Sequence, residues 1–116
     1  MLAKKYRLSS AEIKKVFSSG QRQYFPRISF FIFFPSEKKQ VIPQIAIIVR
    51  RRDISSAVLR NKLKRRIAEV IRKYFITRLM PVKIIIIPKQ SLSYWSSNQI
   101  VDYLEKVFKK LKLIKN

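Results

Sequence analysis

The chain has 116 residues, with 27 Lys and Arg against 6 Asp and Glu, a net charge of +21. Its length fits one domain, and 47% apolar residues are enough to bury a core, so the charge does not imply disorder. With no Cys and no His, disulfides, thiolate metal sites, imidazole bases and every Ser-His or Cys-His nucleophile are excluded.

A folded domain with this excess of positive charge repels itself unless a polyanion neutralises it, which points first to nucleic acid. An anionic membrane surface is the second partner class. The apolar runs Ile28 to Phe34 and Ile84 to Ile87 are too short to span a bilayer. The first residues lack a signal peptide's apolar stretch and cleavage site, so the expectation is a cytoplasmic protein.

Along the chain, residues 9 to 18 read as a short helix. Ser9 and Glu12 have capping-box spacing, Leu8 can staple against Ile13, and Ile13, Val16 and Phe17 form the apolar stripe. Gly20 supplies the stop. Phe25 to Phe34 is β-branched and aromatic and reads as a strand ended by Pro35, with room for a further short strand around Arg22 to Phe25. Ser36 to Gln40 make a polar turn, and Ile42 to Val49 is read as the partner strand.

After a loop from Arg50, Ser55 or Ser56 caps a long helix to about Phe75. Val82 to Ile87, a continuous apolar run between Pro81 and Pro88, suits a strand covered on both faces. A loop rich in Ser and aromatics, Gln90 to Trp95, leads to a helix over about Ser97 to Lys112. Its apolar positions Ile100, Val101, Leu104, Val107, Phe108 and Leu111 repeat with helical spacing. The order α-β-β-(β)-α-β-α predicts a single α+β domain over 1–116, a two-layer sandwich with short flexible ends at about 1–5 and 113–116.

Residues 50 to 73 hold ten basic side chains and only two acids, Asp53 and Glu69, a local charge of +8. At about 100° per residue, Leu59, Leu63, Ile67, Val70, Ile71 and Tyr74 fall on a core-facing side. Arg60, Asn61, Lys64, Arg65 and Arg72 form a stripe beginning at one edge of that side, and Lys62, Arg66 and Lys73 lie on the other flank. Arg forks can bridge phosphate oxygens, and Asn61 adds a donor and an acceptor. Arg51 and Arg52, with Arg50, extend the stripe ahead of the helix. A charge run is ordinarily only a solvated face, but this one lacks the interspersed acids that such faces carry. A membrane-surface helix would need a free apolar face, whereas this one lies between two strands.

Ala57-Val58-Leu59-Arg60-Asn61-Lys62-Leu63-Lys64-Arg65-Arg66-Ile67-Ala68-Glu69 resembles the signature helix of the bacterial ribonuclease P protein family. The resemblance takes in the helix ending Val16-Phe17-Ser18-Ser19-Gly20, the strand leading to Val49, and a later strand and amphipathic helix. Lys62 stands where the family usually has Arg, keeping the charge but losing the fork. Ala68 also replaces an Arg, on the stripe between Arg60 and Arg72. Arg66 is extra but points about 160° away from Ala68.

The resemblance implies an α/β sandwich with a left-handed β-α-β crossover, against the right-handed form found in about 98% of cases. It implies that Arg51, Arg52, Arg60, Asn61, Lys62, Lys64, Arg65 and Arg72 face the catalytic RNA. A cleft between the first helix and the sheet would receive the single-stranded 5′ leader of precursor tRNA through Ile13, Phe17, Arg27 and Phe31. Aromatic stacking beside positive charge is how single-stranded RNA is held, although Ile13 replaces an aromatic and can only pack, and a Phe-rich strand face is ordinarily core.

The partners implied are ribonuclease P RNA and precursor tRNA, with no membrane and no obligatory protein partner. The six acids, Glu12, Glu37, Asp53, Glu69, Asp102 and Glu105, are scattered, and no catalytic or metal-binding residue is expected here. Mg²⁺ and catalysis are expected to belong to the RNA subunit. A ribosomal or other structural RNA-binding protein would share charge and size. A DNA-binding module could use Arg60, Asn61 and Arg65 to read bases, but no helix-turn-helix partner or dimer signal is read.

Overall fold

The computed structural model describes residues 2–36 and 40–114. Three helices, α1 (Ser10–Ser19), α2 (Ala57–Tyr74) and α3 (Ser97–Lys110), accompany strands β1 (Gln21–Tyr24), β2 (Ile28–Phe33), β3 (Gln44–Ile47) and β4 (Lys83–Pro88). Short 3-10 turns cover Lys4–Tyr6 and Gln90–Tyr94. Most of the predicted polar turn after Pro35 falls at 37–39, outside the described residues.

The sheet order is β1-β2-β4-β3. β2 pairs antiparallel with β1 and β4, while β3 runs parallel to β4. β3 is therefore not the partner of β2, as the sequence order suggested. The Ile84–Ile87 run comes between them, because a strand apolar on both faces belongs at the sheet centre. Ile84 and Ile86 enter one core cluster with α2 and α3, while Ile85 and Ile87 enter a second with Leu8 and Val16.

The predicted strand from Phe25 starts late, because Phe25 and Ile28 exchange backbone hydrogen bonds around a two-residue turn, Pro26–Arg27. Both turn residues keep negative φ, as Pro at the first turn position favours.

The hand of the β3–α2–β4 crossover follows from L-chirality. Ala46 and Ile48 face the α1 side, and the amides of Gln44 and Ile48 donate to Val82 and Ile86 of the β4 segment. Ile45 and Ile47 pack in the α2 cluster. Seen from α2 with β3 running up, β4 then lies to the left, so the crossover is left-handed. It departs from the default of right-handed connections.

Local chemistry explains the helices. Ser9 and Glu12 form the capping box of α1 and Ser96 and Gln99 that of α3, while Ser56 caps α2 by accepting from the Leu59 amide. Gly20 stops α1, but with φ of −79° rather than in the left-handed region. A Cβ there would sit 2.5 Å from the Val16 carbonyl oxygen, so close approach is what requires glycine.

Within α2 the buried run is Leu63, Ile67, Ala68, Val70 and Ile71. Leu59 and Tyr74, expected in the core, are about half exposed because the helix ends overhang it. Within the ends expected to be flexible, 1–5 and 113–116, Ala3, Lys4 and Lys5 are exposed. Leu2, Leu113 and Ile114 are buried, and Ile114 bridges to Leu79. Residues 1, 115 and 116 lie outside the described residues.

Candidate nucleic-acid interface

The outer edge of β3 carries the first part of the site. Arg7 bridges Ile45 in parallel and the Leu8 amide donates to the Ile45 carbonyl, which ties the N-terminal segment to that edge. A groove of about 470 Å³ opens there. Its apolar lining includes Leu8, Ile13, Ala46 and Ile48, and its polar wall is Arg7 with Asn61, Lys64 and Arg65 of α2. Ile13 and three residues of the α2 stripe, Asn61, Lys64 and Arg65, assigned from sequence to two surfaces, thus line one groove. Ala68, expected on the open stripe, lines it too but is buried, because a methyl side chain there packs into the core edge.

The remaining stripe residues differ in what occupies them. Arg60 Nη1 donates to the Ile54 and Ser55 carbonyls at 2.9 and 2.8 Å, so one of its nitrogens closes the turn before α2. Arg72 is exposed and hydrogen-bonded to Glu69, whose carboxyl it holds below the usual range. Arg50 pairs with Asp53 at 2.7 Å, leaving Arg51 and Arg52 as the exposed basic residues of the loop. Lys62 is exposed but is not brought to the groove. It lies on the opposite flank of α2, one turn before Arg66, whose Nη1 donates to the carbonyls of Ser93 and Trp95.

The second part lies on the α1 face of the sheet. Phe17, 40% exposed, meets Phe31 edge-to-face with centroids 4.9 Å apart. Phe31 is only partly buried, so the pair presents an aromatic surface beside α1. Arg27 is not part of it. As the second residue of the Pro26–Arg27 turn it leaves the strand alternation, and its guanidinium lies 4.8 Å over Trp95 on the α3 side.

Two cations that sequence reading passed over take its place, Arg22 at 5.8 Å from the Phe31 ring and Lys15 at 5.1 Å from the Phe33 ring. The signal for Arg22 was Pro26: a turn there pairs the preceding four residues with β2 and sets Arg22 opposite Phe31.

Glu12 and Glu105 serve the fold. Glu12 completes the α1 cap and receives Lys83 Nζ at 2.8 Å, which holds its carboxyl below the usual range. Glu105 receives both Arg78 nitrogens and Lys109. Among the described residues no three His, Cys, Asp or Glu side chains come together, and no helix is long and apolar enough to cross a membrane. The groove and the aromatic pair thus set apolar and aromatic surface beside exposed cations.

A model of the Ribonuclease P family matches residues 2–112. The chain belongs to the Ribonuclease P family. Its fold is similar to that of a Staphylococcus aureus RNase P protein mutant with defective mRNA degradation activity, at 26% identity and TM-score 0.80 over 96% of this chain and 92% of that one. A second S. aureus RNase P protein structure gives 25% identity and TM-score 0.78 over 95% and 98%. The Thermotoga maritima RNase P protein matches at 21% identity and TM-score 0.73 over 95% and 98%. No curated protein sequence matches the chain.

Proposed function

We propose that this member of the Ribonuclease P family is the protein subunit of a bacterial ribonuclease P that removes the 5′ leader from precursor tRNA in the cytoplasm. The observation that carries the reading is the groove joining Ile13 of α1 to Asn61, Lys64 and Arg65 of α2. It sets part of the basic stripe beside Ile13, which supports a leader path that starts next to the catalytic RNA. Arg51, Arg52, Arg60 and Arg65 contact phosphates of ribonuclease P RNA, and Phe17 and Phe31 receive the leader. The protein lowers the electrostatic cost of bringing two polyanions together, while the RNA subunit holds Mg²⁺ and performs the cleavage.

Reconstitution tests this. The purified protein, a bacterial ribonuclease P RNA and a precursor tRNA are mixed at low Mg²⁺. The expected result is leader cleavage that depends on the protein, with none from the protein alone. RNA binding without stimulation of any bacterial ribonuclease P RNA would instead favour a structural RNA-binding protein.

A further inference from the structure

The aromatic surface does not end at Phe31. In the β1–β2 register Arg22 stands opposite Phe31 and Tyr24 opposite Ser29. Arg22 and Tyr24 therefore project from the same face as Phe31. The Arg22 guanidinium lies over both rings, 5.8 Å from the Phe31 centroid and 4.9 Å from that of Tyr24. Lys89, just beyond the Ile28–Pro88 pair, reaches Tyr24 from the hairpin-turn end, with Nζ 5.4 Å from the centroid. Aromatic and cation thus alternate from Phe31 through Arg22 and Tyr24 to Lys89, with Phe17 packed on Phe31 at the other end.

Tyr24 is 64% exposed on an edge strand. A ring left so far in solvent adds little to the core, and cation–π contacts at exposed sites are weak stabilisers. The arrangement has the composition of a single-strand binding track, with a π-face for a base and cations for the flanking phosphates.

We infer that Tyr24, with Arg22 and Lys89, forms a second base-stacking station for the single-stranded leader, beyond the Phe17–Phe31 pair. This rests on the leader-cleft reading above. Phosphate oxygens are better partners for a guanidinium or an ammonium than a ring is. An arriving backbone draws Arg22 and Lys89 onto its oxygens and frees the Tyr24 face for a base. Arg22, within reach of both rings, holds the phosphate between the two stations.

Sheet order sets the direction. The α2 groove lies at the β3 edge and Tyr24 at the opposite, β1 edge. A leader running from the catalytic RNA across the sheet reaches Tyr24 last, so this station takes nucleotides farther from the cleavage site. Since every base has a π-face, it selects for leader length rather than sequence.

The test uses reconstituted holoenzyme and precursor tRNAs whose leaders lengthen one nucleotide at a time, with equilibrium affinities for wild type, Y24A, Y24F and F17A. The wild-type advantage over Y24A is expected to grow with leader length, reaching about ten- to a hundred-fold once the strand arrives at the station. Y24F should follow wild type, because stacking needs the ring and not the hydroxyl, and F17A should lose affinity at a shorter leader length. Y24A that tracks wild type at every length overturns the station. So does a Y24A loss independent of length or shared by Y24F. F17A without effect at any length removes the Phe17 cleft reading separately, while a length-dependent Y24A loss still supports the station and moves the path off Phe17.

Discussion

Arg60 is bound to the turn that leads into its own helix, with Nη1 2.9 Å from the Ile54 carbonyl oxygen and a similar bond to Ser55. Arg65, five residues further along α2, is exposed on the groove wall. The two arginines, about 140° apart at the two edges of the stripe, therefore have different duties. R65A should flatten the log–log salt dependence of RNA binding by about one unit and leave the melting temperature unchanged. R60A should flatten the slope and also lower the melting temperature, since a charge-assisted bond to backbone carbonyls contributes about 1–2 kcal/mol to stability. Salt titration of RNA binding and thermal denaturation of each variant decide it, and an R65A slope equal to wild type would leave the stripe as solvated surface.

Phe17 adds packing through Phe31 and offers its exposed face to solvent. Loss of one stacked base costs about 1–3 kcal/mol, so F17A should weaken holoenzyme binding of leader-bearing precursor tRNA by about ten-fold or more. The loss should vanish for mature tRNA. F17L, which restores packing but not a π-face, should remain defective. Full recovery by F17L would show that Phe17 serves only the core.

Strong local codes were legible in the sequence, and side-chain direction at turns was not. The Ser9–Glu12 box, the Ser55-Ser56 cap pair and the 3.6-residue spacing of α3 placed three helices to within a residue or two. The Ile84–Ile87 run announced a central strand. Pairing failed where it depended on another segment: β3 looked like a hairpin partner of β2 because nothing local reveals that β4 will intervene. Pro26 was the neglected mark. Reading through it extended β2 to Phe25, put Arg27 on the Phe31 face and hid Arg22. On α2 the stripe was legible, but that Arg60 and Arg66 spend nitrogens on backbone carbonyls is a tertiary fact.

Ser29 is buried, and its hydroxyl has no hydrogen-bond partner among the described residues. A buried polar atom without a partner carries a desolvation cost, which an apolar group of similar shape avoids. S29A should thus be neutral or raise stability by up to about 1 kcal/mol in denaturant unfolding. A clear loss of stability would mean the hydroxyl has a partner, such as an ordered water.

Glu105 accepts from Arg78 through both oxygens, at 2.8 and 2.6 Å. The Arg78 fork, with Lys109 behind it, holds the Glu105 carboxyl down to about 2 from an ordinary 4.5. Because the folded value lies below the unfolded one, the contribution is complete above about pH 4.5 and disappears as the pH falls toward 2. The two side chains are 36% and 28% exposed, so solvent screening keeps the contribution of the pair small. R78A should therefore be less stable than wild type at pH 6, with the gap narrowing near pH 2.5. Self-repulsion at low pH destabilises both proteins and largely cancels in the comparison. The part of the gap that survives acid reports the Arg78 contact with the Phe75 ring, 5.6 Å from its centroid, which does not titrate. Urea unfolding of both proteins at the two pH values measures it, and a gap that does not change with pH would assign all of the Arg78 effect to Phe75.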